Sequence, residues 1–282
     1  SLHAFNMSVD IPTVSTPEMC PDETLVGPSR NLMAAHHAAI DDVLERTMTR
    51  PFGRCLIMAP PGSAKSLRTV LATAWFMGRK PGSQIIYTSY AGTLAEKQSR
   101  RCQAVINQEA YRQIFPEAPT LQKDSVKEWS LTNGSEFMAS GLLGGITGNR
   151  ADGIVVDDPV SGREDADSEA MRQKTLDAYQ DDLLTRLKPG AWIVFIMTRW
   201  AEADLMGSIL PEDYDGRSGI VKCRDGLDWE VLNIQAKCER HDDPLGRQLG
   251  EYLWPEYMPV AHWQMHENAE GSEARRKWES LY

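Results

Sequence analysis

The chain has 282 residues, of which 41% are hydrophobic and 25% charged, the balance of an ordinary globular protein with one large core. A formal net charge of −10 argues against a protein that grips nucleic acid with its whole surface, while leaving room for a local basic face. No apolar run approaches the length of a membrane span, the start lacks a secretory signal pattern, and the five cysteines include no C-x-x-C pair. We therefore expect reduced thiols, no zinc site, no membrane contact and a cytoplasmic location outside the secretory pathway.

Residues 1–30 are predicted to form a flexible lead, because the segment is rich in Ser, Thr and Pro, and part of it is interpreted as a remnant of cloning. Residues 31–46 carry apolar side chains at helical spacing and predict a helix. His36 and His37 lie in this helix. We interpret them as core or surface histidines, with stacking on a purine base as the alternative.

A phosphate-binding loop is predicted between residues 59 and 66. Residues 55–58 form an apolar run typical of a buried strand, and it is followed by Pro60-Pro61-Gly62-Ser63-Ala64-Lys65-Ser66. Apolar residues return at helical spacing from Leu67. In such a strand–loop–helix unit, backbone N–H groups and the helix N-terminus face the phosphates. We predict nucleotide binding by residues 61–66, with Lys65 at the β- and γ-phosphates and the Ser66 hydroxyl at Mg²⁺.

Two alanines depart from the usual pattern of this loop, since Ala59 and Ala64 stand where it has glycine. Ala59 is expected only to avoid a positive φ. Ala64 is expected to fit its methyl group where the loop enters the helix, at little cost. The alternative is a turn that merely joins two core elements.

The middle of the chain predicts further alternation of strands and helices. Residues 84–88 predict a buried strand, and residues 91–107 a helix whose Lys97, Arg100 and Arg101 either contact a phosphate backbone or form a solvated face. Residues 127–140 predict an antiparallel hairpin that turns at Asn133-Gly134.

An apolar strand ending in two acids follows a glycine-dense stretch. Residues 141–150 must either be mobile or let backbone approach a ligand. The strand at residues 153–156 then leads into Asp157 and Asp158. Asp157 is predicted to hold Mg²⁺ beside Ser66, and Asp158 to orient or deprotonate the attacking water.

The last third of the chain predicts one long helix over residues 168–187, capped by Ser168 and ended by Lys188-Pro189-Gly190. A fully apolar strand at residues 192–197 ends in Thr198, which either senses the γ-phosphate or caps the helix that follows. A further strand is predicted at 229–234 and a helix at 262–282.

Strands separated by helices, with candidate site residues at strand ends, predict an α/β fold: a mostly parallel sheet with helices on both faces. The acid pair lies far in sequence from the phosphate loop. This spacing favours a P-loop NTPase of the RecA-like type, in which an additional strand separates the two motifs. The chain has no N-K-x-D motif for reading guanine, which argues against a GTPase.

Taken together, the motifs resemble the ATPase domain of the large terminase subunit of tailed bacteriophages. The resemblance covers about residues 30–282, and the blocks that carry it are Pro60–Ser66, Tyr87–Ala91, Gly144–Gly148, Val156–Pro159, Leu184–Leu187, Met197–Trp200, Asp243–Arg247, Gly250–Pro255 and Trp278–Tyr282. It implies an ATPase domain at residues 31–260 and a helix or linker at 261–282 toward a nuclease domain. This chain stops where that nuclease would begin, so no cleavage activity is expected of its residues.

The resemblance also implies roles and partners. Asp158 falls at the catalytic carboxylate, which is glutamate in many terminases, and Thr198 in the motif that couples hydrolysis to movement. Arg150 is the first candidate, and Arg101 the second, for an arginine that completes a neighbouring subunit's site. The implied partners are ATP, Mg²⁺, double-stranded DNA, the portal, the small terminase subunit and further copies in a ring, a pentamer in this family. The implied location is the host cytoplasm at the prohead.

Two other functions remain compatible with the residues. One is another nucleic-acid-stimulated RecA-like ATPase, such as a helicase, although the chain has no room for a second RecA-like domain. The other is a nucleotide-binding scaffold with a degenerate phosphate loop, suggested by Ala59 and Ala64. A scaffold would be indifferent to Lys65→Ala.

Overall fold

The computed structural model describes residues 1–12, 26–28, 33–115, 117, 119–123, 125–146 and 148–268. Its α-helices are α1 (Leu2–Ser8), α2 (Ala35–Thr49), α3 (Lys65–Arg79), α4 (Gly92–Ile106), α5 (Glu109–Ile114), α6 (Arg163–Asp167), α7 (Glu169–Asp177), α8 (Leu205–Ile209) and α9 (Val260–Glu267). Its strands are β1 (Asp10–Pro12), β2 (Val26–Pro28), β3 (Arg54–Met58), β4 (Gln84–Ser89), β5 (Leu121–Lys123), β6 (Glu128–Leu131), β7 (Glu136–Gly141), β8 (Ala151–Asp157), β9 (Leu187–Met197), β10 (Gly219–Lys222) and β11 (Asp228–Asn233).

Within the described residues, nine strands form one sheet in the order β10-β11-β3-β9-β8-β4-β7-β6-β5. The strands from β11 to β7 are parallel, and the antiparallel strands β10, β6 and β5 lie at the two edges. β9 lies between β3 and β8. The strand that precedes the phosphate loop is therefore separated from the acid-bearing strand by one additional strand, which confirms the predicted fold class.

The alternation of side chains along the central strands builds an apolar layer on each face of the sheet. Cys55 and Ile57 of β3 enter the layer that also holds apolar residues of α1 to α5. Leu56 and Met58 enter the other layer, which holds Leu205 and its neighbours in α8. Helices thus cover both faces, as predicted. None of the described helices has the length and apolar character needed to cross a bilayer.

The prediction of a flexible lead is wrong for the first residues of the chain. Leu2 and Phe5 lie one helical turn apart in α1 and are 0% and 3% exposed. The ring of Phe5 meets that of Tyr111 edge-on at 6.0 Å, and the Leu2 N–H donates to Glu45. α1 therefore belongs to the core layer of α2 and α5. Residues 13–25, 29 and 30 of the predicted lead, and residues 31 and 32 of the helix predicted after it, lie outside the described residues.

The predicted helix over residues 168–187 is not continuous. Ser168 caps α7 as expected, but the chain widens into a π-helical segment (Ala178–Leu183) and a 3₁₀ turn (Leu184–Arg186). The π segment buries Tyr179 and Leu183, and the Tyr179 ring meets Phe195 of β9 edge-on at 5.2 Å. Lys188 does not end a helix. It lies in β9, where its ammonium group contacts Asp152 of β8 at 2.8 Å.

The remaining elements differ in how closely they follow the sequence pattern. The hairpin of β6 and β7 forms as predicted, and Trp129 stacks on its cross-strand partner Phe137 with ring centroids 4.7 Å apart. The glycine-dense stretch before β8 crosses back to the start of that strand, anchored by the buried side chains of Leu142 and Ile146. Helix α9 ends at Glu267, and residues 269–282 of its predicted span lie outside the described residues.

Candidate nucleotide site

The phosphate loop leaves β3 and enters α3, as the sequence predicts, but its backbone is more strained than expected. Gly62 has φ of 78°, which glycine adopts freely. Ala64 has φ of 59°, in the left-handed region that a residue with a β-carbon rarely occupies. The expectation that Ala64 costs little is therefore wrong, because the glycine normally found there relieves a backbone conformation as well as space. Ala59 keeps a negative φ, as expected.

Lys65 is the first residue of α3. It is held by two side chains that follow strands, Thr198 after β9 and Asp158 after β8. Its ammonium group donates a hydrogen bond to Thr198 Oγ1 at 2.8 Å and lies 3.4 Å from Asp158 Oδ2. The residue is 7% exposed, so these interactions are largely shielded from water. The positive charge predicted to meet phosphates thus lies where β9 and β8 end.

Ser66 meets the first acid of the pair directly. Its hydroxyl donates to Asp157 Oδ1 at 2.8 Å, and the Tyr87 hydroxyl donates to the other oxygen, Oδ2, at the same distance. Asp157 is 0% exposed. Its burial and the neighbouring charge of Asp158 raise the pKa of the Asp157 carboxyl to about 7. The buried Asp157 carboxyl therefore favours a bound proton or a nearby cation.

This donor set fits the magnesium ion predicted from the sequence. A serine hydroxyl and a carboxylate are oxygen ligands of the kind Mg²⁺ prefers, and Mg²⁺ uses few protein ligands when phosphates and water supply the others. Ser66 and Asp157 already lie in contact. A divalent cation beside Asp157 would also stabilise the ionised carboxylate, which burial and the charge of Asp158 disfavour.

Asp158 stands just beyond β8 in a strained conformation, with φ of 44°. Its Oδ1 accepts the backbone N–H of Thr198 at 3.0 Å, and its carbonyl accepts the N–H of Tyr90 at 3.1 Å. The carboxylate that would act on water is thus oriented by the strands on either side of β8, namely β9 and β4. Asp158 is also near enough to Lys65 to compete with a phosphate for it.

The position of Thr198 is compatible with the first of its two predicted roles, sensing the γ-phosphate. Its hydroxyl accepts from Lys65 and donates to the carbonyl of Ala59 at 3.1 Å, so it faces the phosphate loop. The helix that follows is capped by Asp204, whose side chain accepts from Gly207 N. Capping by Thr198 is therefore wrong.

The arginines proposed for a trans role lie away from this constellation. Arg150 is exposed and donates to the Thr185 carbonyl at 3.1 Å, at the amino end of β8. Asp157 is at the carboxyl end of the same strand, roughly 20 Å away at about 3.3 Å per residue. Arg101 lies in the second half of α4, where it donates to Gln98 at 3.2 Å. Arg150 does not reach the site of its own chain.

Tyr87 is a site residue that was not predicted from the sequence. Tyr87 is fully buried and links Asp157 to Thr69 of α3 at 2.8 Å, and its pKa is well above the usual range because of burial and the Asp157 charge. A tyrosine in a predicted buried strand was the available signal, since a buried hydroxyl needs a partner. His36 and His37, interpreted from the sequence as core or surface residues, are both buried, with ring nitrogens 3.1 and 3.2 Å from the carbonyl of Ser63.

Comparison with known proteins identifies the family and the fold of the chain. Residues 56–259 match the family model described as terminase large subunit, T4likevirus-type, N-terminal. The large terminase ATPase domain of Thermus phage P74-26 has the same fold, with a TM-score of 0.52, 14% identity and coverage of 85% of this chain and 92% of that one. An arginine-to-alanine variant of that domain gives a TM-score of 0.53, 16% identity and coverage of 86% and 91%.

A comparison with curated protein sequences finds no match. The family model nevertheless extends from β3, through both halves of the site, to the segment before α9. Because this match covers well over half of the chain, the chain belongs to the family of terminase large subunits, in the N-terminal, T4likevirus-type group.

Proposed function

We propose that this chain is the ATP-hydrolysing motor domain of a viral DNA-packaging terminase, which uses Mg-ATP to move double-stranded DNA into the prohead. The observation that carries the proposal is the meeting of Lys65, Ser66, Asp157, Asp158 and Thr198 at the carboxyl ends of β3, β8 and β9. A lysine, a metal-binding pair, a second carboxylate and a polar sensor are the parts that phosphoryl transfer to water requires. Membership of the terminase family supports DNA as the cargo.

Each site residue has a separate role in the proposed hydrolysis of ATP. Backbone N–H groups of residues 61–66 and the Lys65 ammonium group bind the β- and γ-phosphates, so Lys65 exchanges its contact with Asp158 for phosphate oxygens. Ser66 and Asp157 would hold the Mg²⁺ ion, which would neutralise charge on the phosphates. Asp158 accepts a proton from water as the water oxygen bonds to the γ-phosphorus and the bond to ADP breaks. The Thr198 N–H keeps Asp158 aimed during this step.

A trans arginine completes the proposal. Arg150 is exposed and lies at the opposite edge of the sheet from its own site, so its guanidinium is available to a neighbouring copy. There it would stabilise charge developing on the γ-phosphate, an effect worth orders of magnitude in rate. We propose a homo-oligomeric ring, a pentamer on the portal, that works with the small terminase subunit in the host cytoplasm. Residues 261–282 would lead toward a nuclease domain.

The test is steady-state ATP hydrolysis against protein concentration for the wild type, Asp158→Asn and Arg150→Ala. We expect specific activity to rise with concentration and each variant to lose it. Mixing the two inactive variants should restore part of the rate, because each supplies what the other lacks at a shared interface. Lys65→Ala should abolish nucleotide binding.

Three outcomes would overturn parts of this proposal. A flat specific activity together with an unaffected Arg150→Ala variant would reject the trans arginine. Nucleotide affinity that is indifferent to Lys65→Ala would leave the scaffold alternative. Hydrolysis that single-stranded nucleic acid stimulates, and duplex DNA does not, would favour the helicase-like alternative.

A further inference from the structure

Two neighbouring histidines of α2 hold a single backbone group of the phosphate loop. The Nε2 atoms of His36 and His37 lie 3.1 and 3.2 Å from the carbonyl oxygen of Ser63. The two rings are 4.0 Å apart, and the residues are 1% and 3% exposed. A buried carbonyl needs one hydrogen-bond donor, and this carbonyl has two. The two donors together fix the direction of the carbonyl group.

The hydrogen bonds around His37 define its protonation. The backbone N–H of Ala34 donates to His37 Nδ1 at 3.1 Å, so Nδ1 carries no proton and Nε2 carries the proton given to Ser63. Burial lowers the pKa of His36 to about 4, with Arg68 and Arg247 nearby adding to the effect. His36 is therefore neutral near pH 7, and it too donates through Nε2.

A segment near the end of the described chain backs this pair. The Trp254 ring meets His36 and His37 edge-on, with centroids 5.2 and 4.7 Å away. Four residues later, Met258 lies against the loop itself: a β-carbon added to Gly62 would be 2.9 Å from its Cε atom. We call His36, His37, Trp254 and Met258 the loop clamp.

The direction of the Ser63 carbonyl matters because of the peptide it belongs to. In a planar trans peptide the C=O and the following N–H point opposite ways. Fixing the Ser63 carbonyl toward α2 therefore turns the Ala64 N–H away from α2. The same peptide enters Ala64, whose φ of 59° is unfavourable for alanine and would relax if the peptide turned over.

We propose that His36 and His37 are positioning residues that hold the Ser63–Ala64 peptide in the orientation that binds phosphate, with Trp254 and Met258 as their support. The clamp holds residue 64 in a left-handed conformation that is unfavourable for alanine. Glycine at residue 64 would adopt this conformation freely, and the clamp would not be needed. The proposal rests on the proposed nucleotide site, because it names what keeps that site in shape.

The first test measures Mg-ADP affinity by titration calorimetry, well below the melting temperature. The double variant His36→Leu/His37→Leu removes both donors, and we expect its Kd to rise about tenfold or more. The matched variant His36→Gln/His37→Gln keeps an N–H donor on each side chain, and its Kd should stay within about threefold of the wild type. Tyr111→Phe is the control: it removes a buried hydrogen bond from Tyr111 to the Ala74 carbonyl of α3, away from the loop, and should leave Kd unchanged.

The second test needs no nucleotide. Ala64→Gly should raise the urea midpoint of the wild type, because it relieves the left-handed strain that the clamp imposes. In the His36→Leu/His37→Leu background the peptide is free to turn over, so the same substitution should give no rise.

The two tests separate the two hypotheses. A folded double-leucine variant with wild-type Kd, or an equal rise from Ala64→Gly in both backgrounds, would overturn the clamp. Equal weakening by leucine and glutamine would do the same, since a donor would then be irrelevant. Failure of the wild type to bind Mg-ADP would instead count against the proposed function, and the urea test would still decide on the clamp.

Discussion

Lys65 Nζ donates a hydrogen bond to Thr198 Oγ1 over 2.8 Å, and the same hydroxyl donates to the Ala59 carbonyl over 3.1 Å. One hydroxyl thus joins the first residue of α3 to the residue that follows β3. If Lys65 shifts on binding phosphate, this hydrogen bond transmits the shift directly to Thr198 at the end of β9. This geometry supports the proposed coupling role of Thr198.

Thr198→Val should impair catalysis more than binding. Valine keeps the shape of the side chain but offers no partner to Lys65 or to the Ala59 carbonyl, both of which are buried. We expect kcat for ATP to fall about tenfold or more, with a smaller change in nucleotide Kd. Thr198→Ser keeps the hydroxyl and should retain most of the rate. Steady-state kinetics that show equal kcat for the valine variant and the wild type would contradict this.

Asp157→Asn should stabilise the nucleotide-free protein above pH 7. Because burial and Asp158 raise the pKa of Asp157 to about 7, its ionisation weakens the fold at higher pH, and the effect fades as pH falls below 7. We expect a gain of about 1–3 kcal/mol in the free energy of unfolding at pH 8 and a smaller gain at pH 5. Urea unfolding in EDTA measures it.

The control for that experiment is Asp152→Asn. Asp152 accepts hydrogen bonds from Lys188 and from Gln84 N, which hold the pKa of its carboxyl below the usual value against the opposing effect of burial. Loss of the Asp152 charge should destabilise the protein, whereas loss of the Asp157 charge should stabilise it. Asp157→Asn should also lose the extra stability that Mg-ADP confers on the wild type.

Ala64→Gly should stabilise the protein although it replaces a helix-favouring residue. The φ of 59° at residue 64 costs alanine energy that glycine does not incur, so we expect a gain of about 0.5–1 kcal/mol after the greater freedom of glycine in the unfolded chain is subtracted. Ala170→Gly, at an exposed position in α7, should lose about 1 kcal/mol from the same chemical change. Losses of equal size in both variants would refute the strain at Ala64.

Stability should fall on mild acidification because of His36. Its pKa is lowered to about 4 in the fold, against about 6.5 when unfolded, so the unfolded chain takes up a proton first as pH falls. The contribution is full above pH 6.5, declines between pH 6.5 and 4, and amounts to at most about 3 kcal/mol. Urea unfolding of the wild type and His36→Gln over this range isolates it, since other titrating groups are common to both. Parallel pH profiles would show that His36 does not contribute.

Gly153→Ala should disrupt the centre of the sheet. A β-carbon there would lie 2.1 Å from Cζ2 of Trp192, which is nearly fully buried and meets Phe76 edge-on at 5.2 Å. We expect a loss of about 3 kcal/mol or more, because neither the ring nor β8 has room to move. The double variant Gly153→Ala/Trp192→Leu should lose less stability than the sum of the losses of its two single variants. Strict additivity in denaturant unfolding would contradict the proposed clash.

The sequence predicted those features whose signals are local. Lys65 and Ser66 follow a short apolar run and precede a helical one, and Asp157 and Asp158 end an apolar strand. Each pattern is readable within about ten residues, and the order of strands and helices then favours one fold class. The contact of Ser66 with Asp157 followed from the rule that parallel strands bring their carboxyl ends to one edge of the sheet.

What the sequence did not predict depends on contacts between distant residues. The strain at Ala64 is set by donors from α2, and the burial of Phe5 depends on α5, more than 100 positions later in the chain. The π segment buries Tyr179 against Phe195 of β9. Helical spacing alone cannot distinguish such a segment from a regular helix, since both bury residues four apart.

The placement of β9 has a further consequence for how the site comes into being. Met197 of β9 pairs with Met58 of β3, and Ile196 pairs with Asp157 of β8, so Thr198 emerges beside both Ala59 and Asp158. Successive residues of a strand face opposite ways, so a slip of one position in β9 would exchange its two faces and turn Thr198 away from Lys65. Nucleotide chemistry therefore requires three strands in one register. A folding intermediate that holds only β3 and α3 would carry Lys65 without its partners Thr198 and Asp158.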